Sequence, residues 1–161
     1  MSKVFLYFYI KFFILFISLS TFGQNLTPLR NYTFDQVAKN EEVNYLIIEG
    51  CVSLYSAMTE LTKTKYPDLA SQFFEIANTV YPYGIISLQK LRKISKKDAE
   101  MLFFEKVNKL TNKYVYEMNT IGKKTGSFFE GSFFGEDLKF CQEVTSSLNL
   151  LIQEHLNSGK N

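Results

Sequence analysis

Apolar side chains recur along this chain three and four residues apart in four separate runs, and nowhere in the strict alternation of a half-buried strand. That spacing lines one face of a helix, so the chain must bury its apolar surface by packing helix on helix. In the first run Ile47, Cys51, Leu54, Met58 and Leu61 form one row and Tyr45, Ile48, Val52 and Tyr55 an adjoining one. Thr33-x-x-Gln36 is a capping box flanked by Tyr32 and Val37 as a hydrophobic staple, and it is expected to open this long helix. A second run starts at Pro67, where a missing N–H is harmless, and carries Leu69, Phe73, Ile76 and Val80. Tyr81-Pro82-Tyr83-Gly84 should kink or break it, with helix resuming from Ile85 to Lys93.

Ser95-x-x-Asp98 caps a third run with the seam Phe103, Val107, Leu110, Tyr114, Met118 and Ile121, expected to end at Gly122. The fourth carries Phe134, Leu138, Cys141, Val144, Leu148, Leu151 and Ile152. Its start is either the capping box Ser127-x-x-Glu130 or a point near Gly135, because Gly131 and Gly135 weaken the first turns. Four helices with short connections make an all-α, up-down-up-down four-helix bundle.

Ahead of this bundle lies a different composition. Lys3 and Lys11 are the only charges before Arg30, Phe12 to Leu19 is apolar apart from Ser18, and Thr21-Phe22-Gly23 offers small residues around a cleavage point. Residues 1–23 are therefore read as a secretory signal peptide and 24–161 as the helical domain. The rival reading is a membrane anchor, since Val4 to Phe22 nearly spans a bilayer, but Lys11 would lie inside it. Membrane attachment follows only if the segment is retained. The formal net charge of +2 resides wholly in Lys3 and Lys11, which leaves a neutral domain and argues against bulk nucleic-acid binding.

Export changes the meaning of Cys51 and Cys141, the two cysteines of the chain: in an oxidising compartment they are expected to form a disulfide. Counting from a first helix ending at Lys65 and a last one beginning at Ser127, each cysteine stands equally far from the shared end (65 − 51 = 14 and 141 − 127 = 14). Both also fall on apolar rows.

Several chemistries common in bundles lack their ligands. His155 is the only histidine, so the paired Glu-x-x-His motifs of a di-iron site are missing, as is Cys-x-x-Cys-His for covalent haem. Met58 and His155 as haem ligands would stand far apart along the bundle axis, and His155 near a helix C-terminus is better read as a dipole partner. Gly-x-Ser-x-Gly is absent, and Gly122-Lys-Lys-Thr-Gly-Ser127 has neither the order nor the preceding strand of a phosphate loop. No metal or cofactor is implied.

Three features are left to carry function. Lys90, Arg92, Lys93, Lys96 and Lys97 surround one turn, as solvated charges or as an anion contact. The tandem Gly126-Ser-Phe-Phe-Glu and Gly131-Ser-Phe-Phe-Gly135 places Phe128, Phe129, Phe133 and Phe134 at one end, as a hydrophobic plug or as a partner surface. Tyr81 and Tyr83 flank the expected kink. The leading expectation is an exported binding or interaction module with a protein or apolar partner. A carrier of a small apolar ligand, with a cavity near Phe129, Phe133 and Tyr83, and an enzyme with an unrecognised site are the alternatives.

Overall fold

A computed structural model describes the backbone of residues 26–158 and the side chains of residues 26–148. The leader sequence and the His155, Leu151 and Ile152 side chains lie outside the described residues. The chain is all-α: a 3-10 turn (Leu29–Asn31) precedes α1 (Phe34–Lys39), α2 (Glu41–Thr62), α3 (Pro67–Arg92), α4 (Lys96–Thr125) and α5 (Phe134–Ser158), and no strand occurs among the described residues.

The capping box at Thr33 forms as expected, but it opens only the six residues of α1. The long helix has its own cap, Asn40, whose Oδ1 accepts from the N–H groups of Glu42 at 2.9 Å and Val43 at 3.2 Å. Asn competes with the helix for main-chain hydrogen bonds, so a second start is made where a continuous helix was expected.

α2 is the central element, packed by α3, α4 and α5. Its two apolar rows serve two cores. Ile47, Cys51, Leu54 and Met58 join Tyr114, Met118, Phe134, Cys141 and Val144, whereas Tyr45, Ile48 and Val52 join Val80, Leu88, Ala99, Phe103 and Val107. Tyr55 belongs with the first group, stacked on Phe73 at 6.2 Å. That pair and a Ser87 hydroxyl donating to Asn44 Oδ1 at 2.9 Å make α3 antiparallel to α2. Tyr45 against Phe103, and Ser53 against Val107 and Thr111, make α4 run with α2. Fully buried Ser53 is satisfied by the Glu49 carbonyl at 2.7 Å, while its own carbonyl accepts from Thr111 Oγ1 at 3.3 Å.

α3 runs unbroken through Pro82. The proline removes one main-chain bond to Asn78, and both residues are exposed, so water can replace it. The neighbouring glycine matters more. A Cβ on Gly84 would come within 2.0 Å of Phe103 Cζ, so the ring of α4 lies directly on the α3 backbone, with Tyr81 edge-on at 4.9 Å. The buried row of α3 is displaced from the expected one: Ala70 and Ala77 face inward beside Val80, and Leu69 is exposed.

Gly122 does not end α4. A Cβ there would crowd Phe128 to 2.8 Å, and the helix continues to Thr125, where Gly126 in the left-handed region (φ 81°) closes it. Ser127 consequently opens no helix, and α5 begins at Phe134. Cys51 and Cys141, both fully buried, are joined in a disulfide between α2 and α5. The observed helix ends lie at Thr62 and Phe134, so the equal-height count was not what aligned them; their positions on core-facing rows were.

Candidate functional site

The N-terminal segment is held as a wall beside α2. Asp137, fully buried in the first turn of α5, accepts from the main-chain N–H of Leu29 at 2.9 Å and of Arg30 at 3.1 Å. Burial pushes its carboxyl above the ordinary value, while the two N–H groups and the Arg30 guanidinium pull it back. Leu29, 3% exposed, lies over Gly50, where a Cβ would come within 2.5 Å of Leu29 Cδ2. Glycine is therefore what lets this strap reach the α2 backbone.

Between the strap, α2, α4 and the end of α3 opens a cleft of about 420 Å³, within the usual size range of small-molecule sites. Its apolar lining comes from Leu26, Leu29, Tyr32, Leu46, Leu91 and Leu110. Glu42, Tyr45, Leu46 and Glu49 reach it from α2 at one-face helical spacing, and Lys106, Leu110, Lys113 and Tyr114 from α4 likewise. Arg92 closes the end. A second hollow of about 410 Å³ shares Glu49, Lys106, Leu110 and Lys113 with it and adds Leu102, Glu105 and Lys109.

Tyr45 is the unusual group. It is 6% exposed and borders the cleft, with its hydroxyl buried beside the Glu49 carboxylate. Burial raises its pKa far above that of a free phenol, the hydrogen bond to Glu49 and the Glu49 charge add to the rise, and Arg92 opposes it. Tyr114 is raised likewise by burial, then by the Asp137 and Glu49 charges. Lys106 Nζ stands 6.0 Å above the Tyr45 ring centroid. Both phenols thus remain donors throughout the ordinary pH range. The buried Tyr55 hydroxyl stands beside that of Thr145, which is donated to the Cys141 carbonyl.

The residues singled out from the sequence are dispersed. Of the basic cluster, Lys90 pairs with Glu41 and Lys96 with Glu100 at 3.7 Å, Lys93 is the left-handed cap of α3 (φ 54°), Lys97 is exposed, and Arg92 alone reaches the cleft. Phe134 is buried against Tyr114 at 5.8 Å, Phe128 and Phe133 are half-buried on the same core, and Phe129 is 38% exposed. Tyr81 and Tyr83 pack on the second core. The cleft itself lies away from Phe129, Phe133 and Tyr83, where a cavity was expected, because the strap and not the Phe-rich loop forms its outer wall. Sequence reasoning missed Tyr45, Glu49, Lys106 and Lys113. Their one signal is charge set at helical spacing beside an apolar row, which any solvated helix face also has.

Comparison with known protein families, curated proteins and solved structures finds no match to this chain. Among the described residues no group of three His, Cys, Asp or Glu side chains is arranged to hold a metal, and no helix is long and apolar enough to cross a membrane.

Proposed function

We propose that this chain is an exported helical binding module whose ligand site is the cleft between the N-terminal strap, α2 and α4. One observation carries the reading: a cleft of ligand size has apolar walls from the strap, α2 and α4 with Arg92, Lys106 and Glu49 set among them. Export is supported by the leader composition and by the Cys51–Cys141 disulfide, a bond that persists in oxidising compartments. The test is a fragment screen by amide NMR, repeated on Leu110→Trp, which fills the cleft from α4. Ligands should shift resonances of residues 42–50 and 106–114 in the wild type and not in the variant. Hits that ignore these residues, or that survive the substitution, would overturn the assignment.

A second reading is docking of a protein partner, which exposed Phe129 favours together with Met101 and Phe104 on the outer face of α4, 57% and 59% exposed. Affinity capture with the wild type and with Phe129→Ser and Phe133→Ser tests it, and unchanged partners would remove the Phe-rich loop.

A further inference from the structure

The strap is seated on two helices at once, and its seat straddles the disulfide. The Leu29 side chain lies on Gly50 of α2, the residue next to Cys51. The N–H groups of Leu29 and Arg30 are donated to Asp137 of α5, one helical turn before Cys141. Both halves of the seat can be filled only while α2 and α5 keep a fixed distance and register. A bridge with a Cα–Cα distance of 5.4 Å sets both. The other restraints on α5 differ in kind. Phe134 packs against Tyr114 at 5.8 Å, and Val144 joins the first core. Apolar packing is non-directional and survives a small slide of one helix along another. A pair of N–H to carboxylate bonds does not, because such bonds weaken steeply away from their preferred distance and angle. Within the strap, Asn31 donates to the Pro28 carbonyl and Tyr32 to the Leu29 carbonyl, which shapes the turn without tying it to the helices. The exposed Arg30 and Glu136 side chains, 4.0 Å apart, add little.

We propose that the Cys51–Cys141 bridge holds the strap on its seat, so that the cleft has its outer wall only in the oxidised protein. Leu26, Leu29 and Tyr32 are what the strap gives to that wall, and they leave it when the latch at Asp137 opens. Forming the bridge takes two electrons and two protons from the Cys51 and Cys141 thiols. They pass to an exchangeable disulfide, which becomes two thiols. The cleft is thereby completed in an oxidising compartment and left incomplete in a reducing one. The use of this device rests on the cleft being a ligand site; the latch itself is tested without a ligand.

The experiment compares native-state amide exchange in four proteins: wild type, the Cys51→Ala, Cys141→Ala pair, Asp137→Ala, and the triple variant. A soluble gadolinium chelate, added in parallel, reads exposure of the cleft through relaxation of the Leu46 and Leu110 methyl groups. Removing the bridge should speed exchange at Leu29 and Arg30 by about tenfold beyond the change at Leu88 and Val107, whose amides in the second core follow the global loss of stability. Asp137→Ala should do so by about tenfold or more with the bridge intact. Once Asp137 is gone, removing the bridge should alter strap exchange no more than it alters Leu88 and Val107, because the bridge acts through that latch. Relaxation by the chelate should rise wherever the strap opens. Strap amides that change only in step with the second core when the bridge is removed would overturn the proposal. So would bridge and Asp137 effects that simply add. Where the alanine pair does not fold, Cys51→Val with Cys141→Ala fills more of the buried space and takes its place in the same cycle. A lack of fragment hits on the oxidised wild type would sink the ligand reading alone, since the exchange cycle judges the latch.

Discussion

Breaking the Cys51–Cys141 bond should cost this fold a large part of its stability. The bridge closes a loop with a sequence separation of 90. Removing that constraint releases chain entropy in the unfolded state worth about 4.6 kcal/mol at room temperature in the loop-closure treatment. With an unfolding entropy of roughly 2 cal/mol/K per residue over about 130 described residues, the midpoint should fall by about 18 °C. Both sulfurs are fully buried between α2 and α5, so reduction also leaves two thiols to repack in the first core. The assay is guanidinium unfolding followed by circular dichroism, on oxidised protein, on protein held in reductant, and on the Cys51→Ala, Cys141→Ala double variant. Reduced wild type and double variant should lose comparable stability, and the slope of unfolding free energy with denaturant should rise because the uncrosslinked chain exposes more surface. A reduced protein within about 1 kcal/mol of the oxidised one would refute the loop-closure argument. Alkylation of denatured, unreduced protein should add no tag.

Three further outcomes follow from the packing. Gly84→Ala places a methyl in the Phe103 ring and should destabilise by about 1–3 kcal/mol through overpacking, read as a lower denaturation midpoint. Asp137→Ala strands the main-chain donors of Leu29 and Arg30 and should cost a similar amount, with faster amide exchange at both residues as the local signature. The pH dependence of Asp137 has a defined sign. Its folded carboxyl holds a proton to higher pH than the ordinary 3.8, so its contribution to stability is complete below that value and declines as pH rises through the folded pKa. Stability measured from pH 4 upward should show this downward slope in the wild type and lose it in Asp137→Asn.

Much of the fold was legible because helical spacing is a local property. The rows on α2, the seam of α4, the Ser95 cap and Pro67 at a helix start all appear where side-chain periodicity and capping chemistry put them. The errors occur where a local rule met a tertiary contact. Gly122 reads as a terminator, but its missing side chain serves Phe128 instead. Tyr81-Pro82-Tyr83-Gly84 reads as a break, but the helix survives because the lost bond faces solvent and Gly84 admits Phe103.

By itself, the sequence determined an all-α chain and placed both cysteines on inward rows, since periods near 3.6 residues depend only on neighbours along the chain. It could not determine that α2 would lie at the centre, with one apolar row for each of two cores. That depends on which helices pack against one another, as where Gly84 of α3 admits Phe103 of α4. Nor could it determine the cleft, whose walls are drawn from four segments and whose strap is fixed by a carboxylate more than one hundred residues away, at Asp137. The setting of the Tyr45 hydroxyl beside Glu49 belongs to the same class of fact. A tyrosine on an apolar row is ordinary until the fold decides what its oxygen meets.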